Sequence, residues 1–218
     1  MYRVLDKIAL IWVLFILFGV SLAVNAVLIR PETASEVMRV IYTTPATFGL
    51  ISLVVGATPL WRKVWARIPQ LNRWVFPDLN GRWGTEIHSN IAAMAAYHPD
   101  FANTDLQTIR TPVPGEFEIV QNWFRLFIRF DSDDRYSTSN TLVVEPRKDR
   151  DTGRFTLTYV FRNETPAPKP SDEQTHFGAA HVEIAPDFQS MRGWYWTNRN
   201  ASRGLNTAGK IEAKRMQS

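Results

Sequence analysis

The chain has 218 residues, with 25 Lys and Arg, 21 Asp and Glu, and no cysteine. The missing thiols exclude disulfides, thiolate catalysis and zinc–thiolate sites. The net charge of +4 originates ahead of residue 74, since residues 74–218 carry 17 cations against 18 anions. That balance argues against a basic face for duplex nucleic acid.

The first element is the uncharged run Ile8–Ile29, IALIWVLFILFGVSLAVNAVLI, longer than the roughly 20 residues that cross a bilayer core. A cleaved signal peptide shares the cationic start, but its apolar core is about 7–15 residues and no second span need follow. Here a second uncharged run, Val40–Trp61, follows after the short loop RPETASEVMR. The pair is expected to form a transmembrane hairpin. Arg3 and Lys7 precede it and Arg62, Lys63 and Arg67 follow it, so both termini are expected in the cytoplasm, although Arg30 and Arg39 lie in the loop. Gly49, Ser52 and Gly56 form a small-residue stripe on the second span. It fits either packing against the first span or self-association in the bilayer.

Trp61, Val64, Trp65 and Ile68 then recur at helical spacing among cations. They fit a segment on the membrane surface, or a polar continuation of the second helix. The stretch WVFPDLNGRWGT, Trp74–Thr85, ends this part. Pro77 bars helix continuation and Asn80-Gly81 permits a turn into the first strand, with Trp83 expected as core at the barrel floor. The expected domains are a hairpin with connector at 1–73 and a cytosolic barrel at 74–218.

From Gly81 the pattern is strand-like. Short alternating segments lie at Thr85–Ser89, Phe117–Phe130 (long enough for two strands or one strongly bent strand), Tyr136–Glu145, Phe155–Asn163, His176–Ile184, Met191–Asn198 and Ala208–Arg215. Turn-forming residues separate them. About eight antiparallel strands at short spacing predict a small up-and-down barrel, because closure removes exposed edges. Within residues 91–115, which fit no strand, IAAMAAYHP fits a helical turn capping one mouth.

Enzymatic motifs are missing: no Gly-x-Ser-x-Gly, HExxH or phosphate loop occurs. His176 and His181 lie five apart, hence on opposite faces of one strand, and no histidine pair has metal-ligand spacing. We therefore expect no catalytic role, no metal and no cofactor. A barrel of this size either fills its interior or holds one small ligand. Trp83, Trp123, Tyr159, Tyr195, Thr197, Ser137 and Ser139 are candidate inward positions, and Arg125, Arg162, Arg199 and Arg203 are candidates for a mouth. Aromatic faces stack on bases, arginine pairs with phosphates, and an amide such as Gln121 reads base edges. Core packing for the aromatics and solvated strand faces for the arginines are the competing readings.

The order of FPDLNGRW, IVQNWFRLFI, STSNTLVV, LTYVFRN, HFG, MRGWYWTNR and GKIEAKR behind two spans resembles the two-transmembrane β-barrel effectors of bacterial CBASS anti-phage operons. The resemblance implies an eight-stranded cytosolic barrel that binds a cyclic dinucleotide from a partner nucleotidyltransferase. It also implies oligomerisation and disruption of the inner membrane, leading to cell death. Ser137, Ser139, Tyr159, Asn163, His176, Tyr195, Thr197 and Arg199 fall on the matching strands, and Gln121 and Arg125 join them as candidate ligand contacts. Arg82 departs from the small residue that the family places after the glycine, which suggests an outward position. A membrane-tethered, lipocalin-like carrier of a lipid or other apolar molecule is the alternative, and a filled structural barrel is a third.

Overall fold

The computed structural model describes residues 4–5, 7–99, 111–169 and 172–217. Contacts divide the chain into two compact units, Met1–Asp78 with Asn122–Arg125, and Leu79–Gln121 with Leu126–Ser218.

The first unit opens with α1 (Lys7–Ile29) and α2 (Ala34–Ala57), both long and apolar enough to cross a membrane. Most of their apolar side chains are exposed, unlike those of the core helices of a soluble domain. The second helix starts six residues before the expected Val40. Thr33 caps it, and the Glu36 carboxylate accepts the Thr33 backbone N–H, so the polar start is stabilised by a capping box. The two helices share polar contacts. Asn25 donates to Thr44 Oγ1 at 3.3 Å and accepts from Thr47 Oγ1 at 3.1 Å. Such bonds hold apolar helices together where hydrophobic burial gives little preference. The Gly49–Ser52–Gly56 stripe does not form one contact line. A side chain at Gly49 would meet nothing within 4 Å, whereas one at Gly56 would fall 2.5 Å from the Phe124 ring.

Next come α3 (Leu60–Arg67) and α4 (Leu71–Trp74). Trp61 and Trp65 recur at helical spacing, as expected, and their shared face is buried inside this unit. The rings pack edge-on at 5.2 Å, and Trp65 meets Trp123 in the same way at 5.7 Å. The Trp65 indole also donates to the Phe76 carbonyl at 2.9 Å. Trp123 therefore sits in the 122–125 segment and not among the inward positions expected for it.

The second unit is a closed antiparallel meander of β1 (Gly81–Ser89), β2 (Val113–Gln121), β3 (Leu126–Ser132), β4 (Thr138–Lys148), β5 (Phe155–Glu164), β6 (Thr175–Ile184), β7 (Ser190–Thr197) and β8 (Ala208–Arg215). The long Phe117–Phe130 run is two strands, with Asn122 accepting the Phe124 and Arg125 amides in the turn. Gly81 opens β1 at φ +121°, a conformation that favours glycine. Alternation sends Trp83, Phe117, Ile119, Ile128, Phe130, Leu157, Tyr159, Val182 and Ile211 inward, all nearly or fully buried. Gly178 leaves room for Phe161, whose ring would lie 2.4 Å from any Cβ there. A short helix, α5 (Ile91–Ala95), follows β1 and buries Ile91 and Ala95 against Leu205. It stands at the rim where β1 ends, as expected for the residues 91–99. Residues 100–110 lie outside the described residues.

Candidate ligand-binding rim of the barrel

The strand register sorts the barrel interior by chemistry. One rim is formed where β1 begins and β2 ends. There Gln121 accepts the Leu79 amide at 2.6 Å and donates its own amide to Asn80 Oδ1 at 2.7 Å. Arg215 donates to the Asn80 carbonyl at 3.0 Å and stacks 4.6 Å above Trp83. The Trp83 indole donates to Leu79 at 3.0 Å. Polar groups here tie backbone to backbone, and Trp83 fills the space beneath them with no exposed surface.

The other rim is formed where β1 ends and β6 begins. Cross-strand pairing brings Ser139 opposite Asn163 and Asn163 opposite His176. Gly178 stands opposite Thr197, Tyr195 opposite Gly209, and Gly209 opposite Ser89. The inward positions nearest this rim on β1 and β3–β7 (Ser89, Ser132, Ser139, Asn163, His176 and Thr197) are thus polar where those below are mostly apolar. Asn163 donates to Ser139 Oγ at 3.0 Å and accepts from Thr165 at 3.2 Å. Thr197 and Thr207 share a hydroxyl hydrogen bond at 2.7 Å. The Tyr195 phenol is bonded to Ser89 and Thr207, and burial raises its pKa above the ordinary tyrosine value. Ser137 closes the β3–β4 turn, its amide donating to Ser132 Oγ at 3.0 Å.

An ionic cluster stands on this rim. Arg199, just beyond β7, pairs with Asp172 through Nε and through a second contact of 2.7 Å. The Asp172 side chain is 1% exposed and the Arg199 side chain 26% exposed. Burial opposes the Arg199 charge, and the Asp172 hydrogen bond and charge outweigh it, so its pKa lies above the usual value. Tyr136 donates to Asp172 and accepts the Lys169 amide at 3.0 Å. Burial first, and then the Asp172 contact, pushes the Tyr136 phenol up to about 12. His176 faces the same cluster. Burial, reinforced by the Arg199 charge and only partly offset by Asp172, lowers its pKa to about 4. Its Nδ1 is buried and has no hydrogen-bond partner among the described residues. The imidazole is therefore neutral near pH 7 and has capacity for one more polar contact.

Of the residues expected to contact a ligand, Ser137, Ser139, Asn163, Tyr195, Thr197 and Arg199 come together at this rim. Tyr159 lies deeper on the same inward row of β5, its ring tilted against Phe161 with centroids 6.1 Å apart, and burial raises its pKa. Gln121 is at the opposite rim, where its side chain holds Leu79 and Asn80. Arg125 lies in the β2–β3 connection, assigned to the other unit. Arg162 points outward to Glu164 at 2.5 Å. Arg82 is outward, paired with Glu116. Tyr136, Asp172 and Thr207 were not among the expected contacts. Thr207 follows from the alternation that places Gly209 and Ile211 inward. Asp172 stands in a Pro-rich connection with no period to read.

A closed meander with one sealed rim and one polar rim, carried behind two apolar helices, is the architecture of a small-ligand receptor barrel. The comparisons with known proteins agree. A family model described as "Cap15, cyclic dinucleotide receptor domain" matches residues 74–215, and the chain belongs to this family of CBASS effectors. It is also 27% identical over 177 residues to "CD-NTase-associated protein 15" of Escherichia albertii, across 81% of this chain and 80% of that protein. That span is longer than residues 74–218, so it takes in part of the helical segment.

Proposed function

We propose that the polar rim binds a cyclic dinucleotide made by a partner nucleotidyltransferase, and that binding triggers this chain as a membrane-disrupting effector of anti-phage defence. The carrying observation is the ring of inward polar groups around His176, whose buried Nδ1 has no hydrogen-bond partner among the described residues, with the Arg199 guanidinium beside it. A cyclic dinucleotide presents two phosphates and two bases. Arg199 suits a phosphate, the Asn163 amide and the rim hydroxyls suit base edges and sugar oxygens, and Tyr136 and Tyr195 offer aromatic faces. Family membership supports this class of ligand. A carrier of apolar molecules fits less well, because the apolar layers are filled by Trp83, Phe117, Phe130 and Leu157.

The rest of the reading is supported by the resemblance and by the two apolar helices. The hairpin crosses the bacterial inner membrane twice, both termini face the cytoplasm, and ligand-bound copies assemble and breach the bilayer. No catalytic step is assigned to the chain. The test is calorimetric titration of the detergent-solubilised full chain with 3′,3′- and 2′,3′-linked cyclic dinucleotides of all base pairs. At least one should bind, with affinity reduced in Asn163→Ala and Ser139→Ala. A folded chain that binds none of them, or rim variants that bind unchanged, would overturn the proposed site.

A further inference from the structure

The outer faces of the barrel differ. On β1–β3 the outward residues are charged and paired, with Arg82 on Glu116 and Arg129 on Asp131 at 2.7 Å. On β4–β7 charged and hydroxyl side chains, among them the pairs Arg162–Glu164 and Arg154–Glu183, flank an apolar row. Cross-strand pairing aligns Val143 with Val160, Val160 with Ala179, and Ala179 with Trp196 in one continuous row. Phe177 and Trp194 lie two residues to either side of Ala179 and Trp196 on β6 and β7. The register shift between Thr141 and Val143 adds to this face. Such a bulge inserts an extra residue, so Leu142 and Val143 both point outward where alternation would allow one. Leu142, Val143, Val160, Phe177, Trp194 and Trp196 are 38–61% exposed.

Together these six side chains present about 600 Å² of apolar surface, taking the larger aromatics at 150–250 Å² each when fully open. A soluble face of this size is at the upper end of what a monomer tolerates and marks a contact surface. We propose that the β4–β7 wall is where two copies of this chain pack face to face. Area supports a second copy: two such walls would cover about 1,200 Å², the lower bound for a specific interface. Charge supports it too. The border holds both signs in equal number, with Arg162 on Glu164, Arg154 on Glu183 at 2.9 Å, and Arg192 opposite Glu212 across β7 and β8. A two-fold operation can set such a border against itself with opposite charges facing. An anionic lipid surface or a nucleic acid would need an excess of cations, and this border has none. The pairing gives the self-association in the reading above a surface, and rests on that part of the reading alone.

The absence of cysteine makes the test direct. A full-length Val160→Cys chain in native membranes, treated with a thiol oxidant, should give a covalent dimer, with and without the cyclic dinucleotide panel or with it only. Glu118→Cys, on the charged wall, should stay monomeric. Adding Leu142→Glu to Val160→Cys should abolish the dimer. Titration of the same variants with the panel separates the two proposals. Ligand binding without any Val160→Cys dimer overturns the wall interface and leaves the rim standing. A dimer without ligand binding keeps the wall and removes the rim. Equal cross-linking from Glu118→Cys also overturns the wall interface.

Discussion

The two rims of the barrel use polar residues to opposite ends. At the rim of Gln121, Asn80 and Arg215, side chains spend their hydrogen-bonding capacity on backbone groups, and Trp83 closes the interior below them. At the rim of Asn163, His176 and Arg199, side chains bond mainly to one another, and one ring nitrogen is left unmatched. A buried polar group is tolerated when satisfied and costly when not. The first rim therefore behaves as a seal built on backbone contacts, and the second as a pre-assembled set of side-chain donors and acceptors. This division explains how a barrel of eight short strands can be rigid and still accept a ligand: the apolar layers nearest the seal hold the shape, and the last polar layer is free to specialise.

The strongest way to break the comparison is to open the seal. Trp83 is fully buried and its indole is hydrogen-bonded. Trp83→Ala is expected to cost 3–5 kcal/mol, about the range for deleting a large aromatic from a core. Urea unfolding of the barrel followed by tryptophan fluorescence measures it. A loss comparable to that of an exposed substitution would mean that Trp83 does not hold the floor.

A smaller effect is expected from breaking the ionic cluster on the open rim. Asp172→Ala leaves the largely buried Arg199 without its carboxylate and Tyr136 without its acceptor. About 2–3 kcal/mol should be lost, below the 3–5 kcal/mol of a fully buried pair because Arg199 retains some solvent. Asp172→Asn preserves the acceptor for Tyr136 and should recover part of that loss. Equal losses in the two variants would show that the Tyr136 bond contributes nothing.

The elements of the fold were legible for a physical reason. Strands such as Phe155–Glu164 alternate because one face is packed and the other is wet, and that period survives in the sequence. The spans were legible because charge is excluded from hydrocarbon, and the second was displaced at both ends: it starts at Ala34, where Thr33 and Glu36 cap a polar helical turn, and ends at Ala57, ahead of the expected Trp61. The rim was partly legible. Ser139, Asn163, Tyr195 and Thr197 follow from parity along their strands. Gln121 and Arg125 show the limit of parity: it reports which face a residue occupies, and not which end of a barrel. Asp172 was invisible because a turn has no period and its role depends on Arg199, 27 residues away. The tryptophans of α3 were seen as an amphipathic face, but sequence cannot say whether such a face meets lipid or Trp123.

The finest contrast between the rims is one of protonation. The pKa of His176 falls from 6.5 to about 4 because burial, with Arg199 nearby, opposes a charged imidazole. Above pH 6.5 the ring is neutral in both folded and unfolded chains, so pH leaves its contribution unchanged. Between 6.5 and 4 the unfolded chain takes up a proton that the native rim refuses, and stability falls as pH drops. Below pH 4 both states are protonated and the slope ends. The effect should reach roughly 2 kcal/mol once residual solvent at the rim is allowed for. Urea midpoints of the full chain in detergent at pH 7.5 and pH 4.5, compared with His176→Gln, isolate it from the carboxylates that titrate in both proteins. Identical pH slopes would mean that His176 is solvated and the rim is not the enclosed polar layer described. A phosphate placed against the imidazole reverses the sign, since a nearby anion favours the protonated ring. A cyclic dinucleotide that occupies this rim should therefore bind more tightly as pH falls toward about 4, the value of His176 in the free chain, and His176→Gln should remove that gain.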